Sequence, residues 1–142
     1  MKTTLALFTA ALVMAPHLAM ADSGVCTTEK TAGTYGFSLT GTVLPGNASG
    51  LPVGPVAATG LLVLEPNGEM HGSEQIIFNG VIVPGVQYGG TFTVNPDCTL
   101  TLEDPGFFRN YGVIVSDGNE LLVMSSDTGV ITTATAKRIQ KK

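Results

Sequence analysis

Beyond its first two dozen residues the chain falls into eight short segments of period-two alternation. Each ends at a cluster of Gly, Pro, Asn or Asp, and nothing between them has the 3.6-residue apolar period of a helix. The segments are 33–43, 56–64, 69–78, 88–94, 99–103, 107–115, 120–125 and 130–137. Most connections are two to four residues long, so neighbours in sequence become antiparallel neighbours in space. The expected fold is all-β: an eight-stranded antiparallel up-and-down barrel. A β-sandwich is the alternative, but it favours Greek-key crossings that need longer connections. Such a barrel either fills its own interior or holds one compact ligand.

Individual residues sharpen this reading. Asn67-Gly68 and Asn79-Gly80 lie between apolar runs, a strong hairpin signal. The loop 44–55 carries three prolines and three glycines and can hold no strand interior. Gly36, Gly41, Gly60, Gly72, Gly89, Gly90 and Gly112 stand inside strands, where a closing sheet bends sharply.

The N-terminus has a different character. Met1-Lys2, an apolar run from Leu5 to Met14 and the triplet Ala19-Met20-Ala21 have the layout of a secretory signal peptide over residues 1–21. The run is too short to anchor the chain in a bilayer. Residues 22–142 then form one β-barrel domain, secreted or periplasmic. Lys137, Arg138, Lys141 and Lys142 close the chain and leave Lys30 and Arg109 as the only cations of an acidic body. No basic face for nucleic acid is supplied, and the terminal lysines read as a solvated tail ending the last strand. Cys26 and Cys98, the only cysteines, are expected to be bonded in an oxidising compartment.

These residues also carry a resemblance. Cys26, the run from Gly33 to Gly41 (GTYGFSLTG), Asn79-Gly80-Val81, the run from Gly90 to Thr99 (GTFTVNPDCT) and the run from Thr133 to Arg138 (TATAKR) resemble a family of small exported bacterial proteins of largely unassigned function. More distantly, the architecture is similar to the calycin-like barrels of allene oxide cyclase and dirigent proteins. Those barrels steer cyclisation or coupling of small apolar molecules, but none of their catalytic motifs maps onto residues of this chain.

Motifs for chemistry are sparse. There is no GxSxG, HExxH or CxxC and no phosphate-binding glycine loop, so no cofactor is implied. A single histidine after the signal, His71, excludes a His-rich metal site, and Asp117-Gly118-Asn119-Glu120 reads first as a hairpin turn, so no metal is assigned. Asn47-Ala48-Ser49 fits a glycosylation sequon, relevant only in a eukaryotic secretory pathway.

The third segment is the informative one. Met70, Gly72, Glu74, Ile76 and Phe78 share parity, which puts Glu74 on the apolar, interior face. A buried carboxylate tends to a raised pKa and can serve as a general acid or base, so Glu74 is the one catalytic candidate. A β-bulge at Gly72 would instead send it to solvent. In the sixth segment either Arg109 points inward, where it can pair with Glu74, or Asn110 and Gly112 do. The resemblance favours the latter, since relatives carry aromatic residues at the positions of Asn110 and Gly112.

The expected ligand-binding set is Tyr35, Phe37, Glu74, Phe78, Tyr88, Phe92 and Asn110, around a small apolar molecule. Packing of the same aromatic residues into a filled core competes with this. Three function classes stay open: a binding module, a cyclase or isomerase using the same cavity, and a non-catalytic surface or interaction protein. Oligomeric state is not legible.

Overall fold

The structure, a computed structural model, describes residues 25–105 and 108–141. Residues 1–24, which include the expected signal peptide, and positions 106, 107 and 142 lie outside the described residues. A single-turn helix α1 (Thr28–Thr31) precedes eight strands: β1 (Gly33–Val43), β2 (Gly54–Leu64), β3 (Glu69–Phe78), β4 (Val81–Val94), β5 (Thr99–Glu103), β6 (Arg109–Val115), β7 (Glu120–Ser125) and β8 (Val130–Lys141). They pair in sequence order, all antiparallel, and β1 pairs with β8 to close the barrel. The sandwich alternative is thereby set aside.

Turn chemistry accounts for most of the connections. Asn79 (φ 48°) and Gly80 (φ 85°) both adopt the left-handed region that a two-residue type I′ hairpin requires. Two other hairpins are four-residue turns whose last residue is left-handed. Gly68 (φ 87°) fills that position after Glu65-Pro66-Asn67, and Cys98 (φ 65°) fills it after Asn95-Pro96-Asp97. A non-glycine residue there costs about 1–2 kcal/mol. Cys98 is held in place by its disulfide to Cys26, with Cα atoms 5.0 Å apart, a separation ordinary for a bridge. The bond ties the segment before α1 to the β4–β5 turn.

Three segments run longer than their alternation indicates. β8 continues past Lys137 to Lys141, so the basic terminus is strand rather than tail. Regular register sets Arg138 opposite Tyr35, facing inward, and a bulge beyond it leaves Ile139 without a partner on β1. β2 starts at Gly54, two residues early. β4 starts at Val81, not at position 88. Pro84, unsuited to a regular ladder, sits in a bulge. Pro84 and Gly85 (φ 69°) together stand opposite Gln75 alone, and a bulge with left-handed glycine tolerates what a regular ladder does not. β4 pairs with β5 only over residues 91–94. Its first ten residues therefore have no strand partner on that side among the described residues.

Inside, side chains form two layers. The lower contains Tyr35, Leu62, Leu64, Met70, Phe92, Leu100, Leu102, Ile114, Leu121 and Ala136. The upper contains Val43, Val56, Ala58, Ile76 and Phe78, all from β1, β2 and β3. Phe37 packs against both layers.

Glycine permits the curvature. A Cβ at Gly41, Gly60, Gly72 or Gly90 would lie about 2 Å from a carbonyl oxygen of the adjacent strand or its extension: Ile131, Ser73, Leu61 and Glu103 respectively. All four face inward, at corners where the wall folds on itself. Gly36 and Gly89 lie on the outer face with room to spare, and no bend depends on them.

α1 closes the lower end. Thr27 caps it, its Oγ1 accepting from Lys30 N at 3.2 Å. Tyr35 is fully buried beneath it. The Tyr35 hydroxyl lies 2.6 Å from Thr31 O and 2.8 Å from Gly118 O, to which it donates. It accepts from Arg138 Nη2 at 2.6 Å and Nε at 3.2 Å. Arg138 Nη2 also reaches Lys30 O at 2.8 Å, and the guanidinium carbon stands 5.2 Å from the Tyr35 ring centre. Burial raises the Tyr35 pKa, and the hydrogen bond and charge of Arg138 offset part of that rise.

At the other end, Asn47 organises the β1–β2 loop. Its Nδ2 donates to Leu44 O and Leu51 O, and its Oδ1 accepts from Leu51 N at 2.8 Å. The amide nitrogen that a glycan would take is thus part of the loop's own hydrogen bonding.

Candidate functional site

Between the two core layers lies a cavity of about 90 Å³. Its origin is an imbalance of side-chain volume. On β1 to β3 the upper layer is filled by Val43, Val56, Ile76 and Phe78. On the opposite wall the inward positions of β6 to β8 that face this space include Asn110, Ser125, Thr132 and Ala134, which are small or polar, with Val123 and Val130 as the apolar exceptions. The space reaches from Leu62, Met70, Leu102 and Ala136 at its floor to Asp104 and Phe108 at its mouth. That mouth lies where β5, only five residues long, ends beside the unpaired half of β4.

Of the seven residues expected to bind a ligand, the structure brings four together: Phe37, Glu74, Tyr88 and Asn110 line the cavity. The other three face inward but do not line it. Tyr35 is committed to the closure under α1, Phe92 is packed in the lower layer and Phe78 in the upper. The inward face of β6 is the one carrying Asn110, Gly112 and Ile114. Arg109 faces out and pairs with Glu103 at 3.1 Å. His71 lies on the outer face beside Glu65, 3.2 Å away.

Glu74 keeps its inward parity because the bulge is in β4 and leaves β3 regular through Gly72. Gly60 stands opposite it on β2. The missing side chain gives the carboxylate its room, since a Cβ at Gly60 would meet Glu74 Cβ at 2.9 Å. Glu74 is half-buried and makes no hydrogen bond or ion pair among the described residues. Burial raises its pKa above the ordinary carboxylate value, and the nearby charge of Asp104 adds to the rise.

Tyr88 crosses the inner face of Gly72, and its hydroxyl donates to Leu61 O at 2.8 Å. Its ring meets Phe37 edge to face, with centres 6.5 Å apart and planes at 76°. Burial, then Glu74 and Asp104, push the Tyr88 hydroxyl well above the usual phenol range. It is therefore a fixed neutral donor and a poor proton source.

Asp104, Phe108, Thr132 and Ala134 were missed by sequence reasoning. Asp104 belongs to a turn where alternation gives no facing, and Phe108, which shares the parity of Asn110 in the sixth segment, precedes β6 rather than opening it. Thr132 and Ala134 share β8 parity with Ala136, but small residues signal nothing until the opposite wall is known.

No family model matches this chain, and no curated protein matches it. Among solved structures, a redesigned β barrel is 17% identical, with a TM-score of 0.49 over 79% of this chain and 94% of that one. A de novo designed fluorescence-activating β barrel is 14% identical, with a TM-score of 0.46 over 78% of this chain and 95% of that one. Both are designed β barrels.

Proposed function

We propose that this is an exported binding protein whose barrel interior takes up a small apolar molecule. The observation that carries the proposal is the unfilled, mainly apolar space between the two core layers, with a few polar groups set into its wall. Apolar burial supplies affinity in such a site and the polar groups supply orientation. An engineered closed cavity of about 150 Å³ accepts benzene; this space is smaller but open at its mouth, so it suits a short branched chain or a single small ring that extends into the mouth. Export is supported by the N-terminal segment and by the Cys26–Cys98 bridge.

Binding of small apolar molecules can be followed through the methyl signal of Met70, which is buried and lines the cavity. Ala134→Leu fills the space from β8. It should abolish binding while leaving the fold intact. A variant that binds as well as the wild type would remove the cavity from consideration.

A second reading, a cyclase or isomerase in the same cavity, draws on Glu74, whose burial suits it to accept and return a proton. The binding reading leads because Tyr88 is tied to Leu61 O and cannot serve as the partner acid. Turnover of a bound molecule by the wild type, lost in Glu74→Gln with binding retained, would reverse that order.

A further inference from the structure

We propose that the molecule taken up by this cavity is an amine, with its ammonium group seated against Glu74 and its apolar body directed to the floor. This rests on the binding reading above and adds to it the chemical class of the ligand.

The argument starts from the charges around the space. Glu74 and Asp104 both line the cavity, whose described lining contains no Lys, Arg or His. The one cation near the mouth, Arg109, faces out and is held by the Glu103 carboxylate, while its own backbone N–H donates to Asp127. The remaining described cations, Lys30, Lys137, Arg138 and Lys141, belong to α1 and the far end of β8, at the closed end of the barrel. An anionic ligand would therefore meet the Glu74 carboxylate with no cation in the described lining to offset it. A neutral apolar ligand would strip more water from Glu74 and give it nothing in return, which is costly. An ammonium group supplies the missing countercharge and hydrogen-bond donors in one step.

The walls agree with this choice. Phe37, Tyr88 and Phe108 bring aromatic rings to the same space, and aromatic faces attract a cation where water is scarce. Leu62, Met70, Leu102 and Ala136 make the floor apolar. Glu74 stands mid-strand above that floor and Asp104 at the mouth, so a primary amine with one small ring spans the two regions.

Three probes of one shape separate the possibilities: benzylamine, benzyl alcohol and benzoate, titrated into the disulfide-bonded protein at pH 7.5 and read from the Met70 methyl signal. Benzylamine should bind at least tenfold more tightly than benzyl alcohol, and benzoate more weakly than either. Glu74→Gln should bring benzylamine down to the affinity of the alcohol and leave the alcohol's affinity nearly unchanged; an unaltered methyl spectrum shows that the variant is folded. Asp104→Asn, in a turn rather than a strand, should weaken the amine by a smaller factor. If amine and alcohol bind equally, or Glu74→Gln leaves the preference intact, the amine assignment is overturned and the cavity reading survives. If none of the three binds, both fall.

Discussion

The contact between Tyr35 and Arg138 offers the most direct test of how the barrel is closed. Tyr35→Phe keeps the ring and the cation 5.2 Å from its centre but deletes the hydroxyl. Arg138 then loses an acceptor at 2.6 Å and Gly118 O loses its donor, while Thr31 O keeps Arg138 Nη2. A hydrogen bond to a charged group contributes about 1.5–3 kcal/mol. Part of that is recovered, because Arg138 Nη2 still donates to Lys30 O and Thr31 O. The expected loss is about 2 kcal/mol, or roughly 8 °C in Tm for a domain of this size. Arg138→Met removes the hydroxyl contact, both carbonyl contacts and the cation over the ring, and should cost about 3 kcal/mol. The double variant should fall short of the sum by about 1.5 kcal/mol, since the two residues share one interaction. Urea unfolding with the disulfide intact measures all four corners of the cycle. A coupling below about 0.3 kcal/mol, within ordinary additivity, would refute the claim that this pair fastens β1 to β8. So would a Tyr35→Phe variant with an unchanged midpoint.

Replacing Cys26 and Cys98 by serine opens a loop of 72 residues. Chain-entropy arithmetic sets the loss at about 4 kcal/mol, partly returned because position 98, once free of the bridge, can relax its left-handed backbone. Peptide mapping without reductant should link the two cysteines, and free thiols in protein recovered from its native compartment would contradict the bridge. Glu74 should leave a pH signature. Its folded pKa is raised, so the unfolded chain ionises first, and the stability tied to neutral Glu74 is complete below the unfolded value near 4.5. It is lost as pH rises through the folded pKa. Glu74→Gln lacks that loss, so the variant should gain on the wild type between pH 4 and pH 8 in chemical denaturation. A difference that stays constant over that range would place Glu74 in water.

The sequence alone determined the strand order and much of the facing, because both follow from local rules. Asn79-Gly80 dictates a type I′ turn wherever it sits between strands, and two-residue alternation dictates that Tyr35, Phe37, Glu74, Tyr88 and Phe92 share the inner face. The cysteine pair is legible for a similar reason: two thiols leave one pairing. Tertiary structure decided the rest. Arg138 reads as part of a charged tail until β8, closing on β1 in regular register past Lys137, sets it opposite Tyr35. The first half of β4 looks unlike a strand until the bulge at Pro84 and Gly85 accommodates it. Hollowness is the least local property of all. Whether Phe37 packs or lines a cavity depends on Ala134 and Thr132 nearly one hundred residues away. Interior volume is the difference between what the wall encloses and what eight strands together put inside, so no single segment carries it.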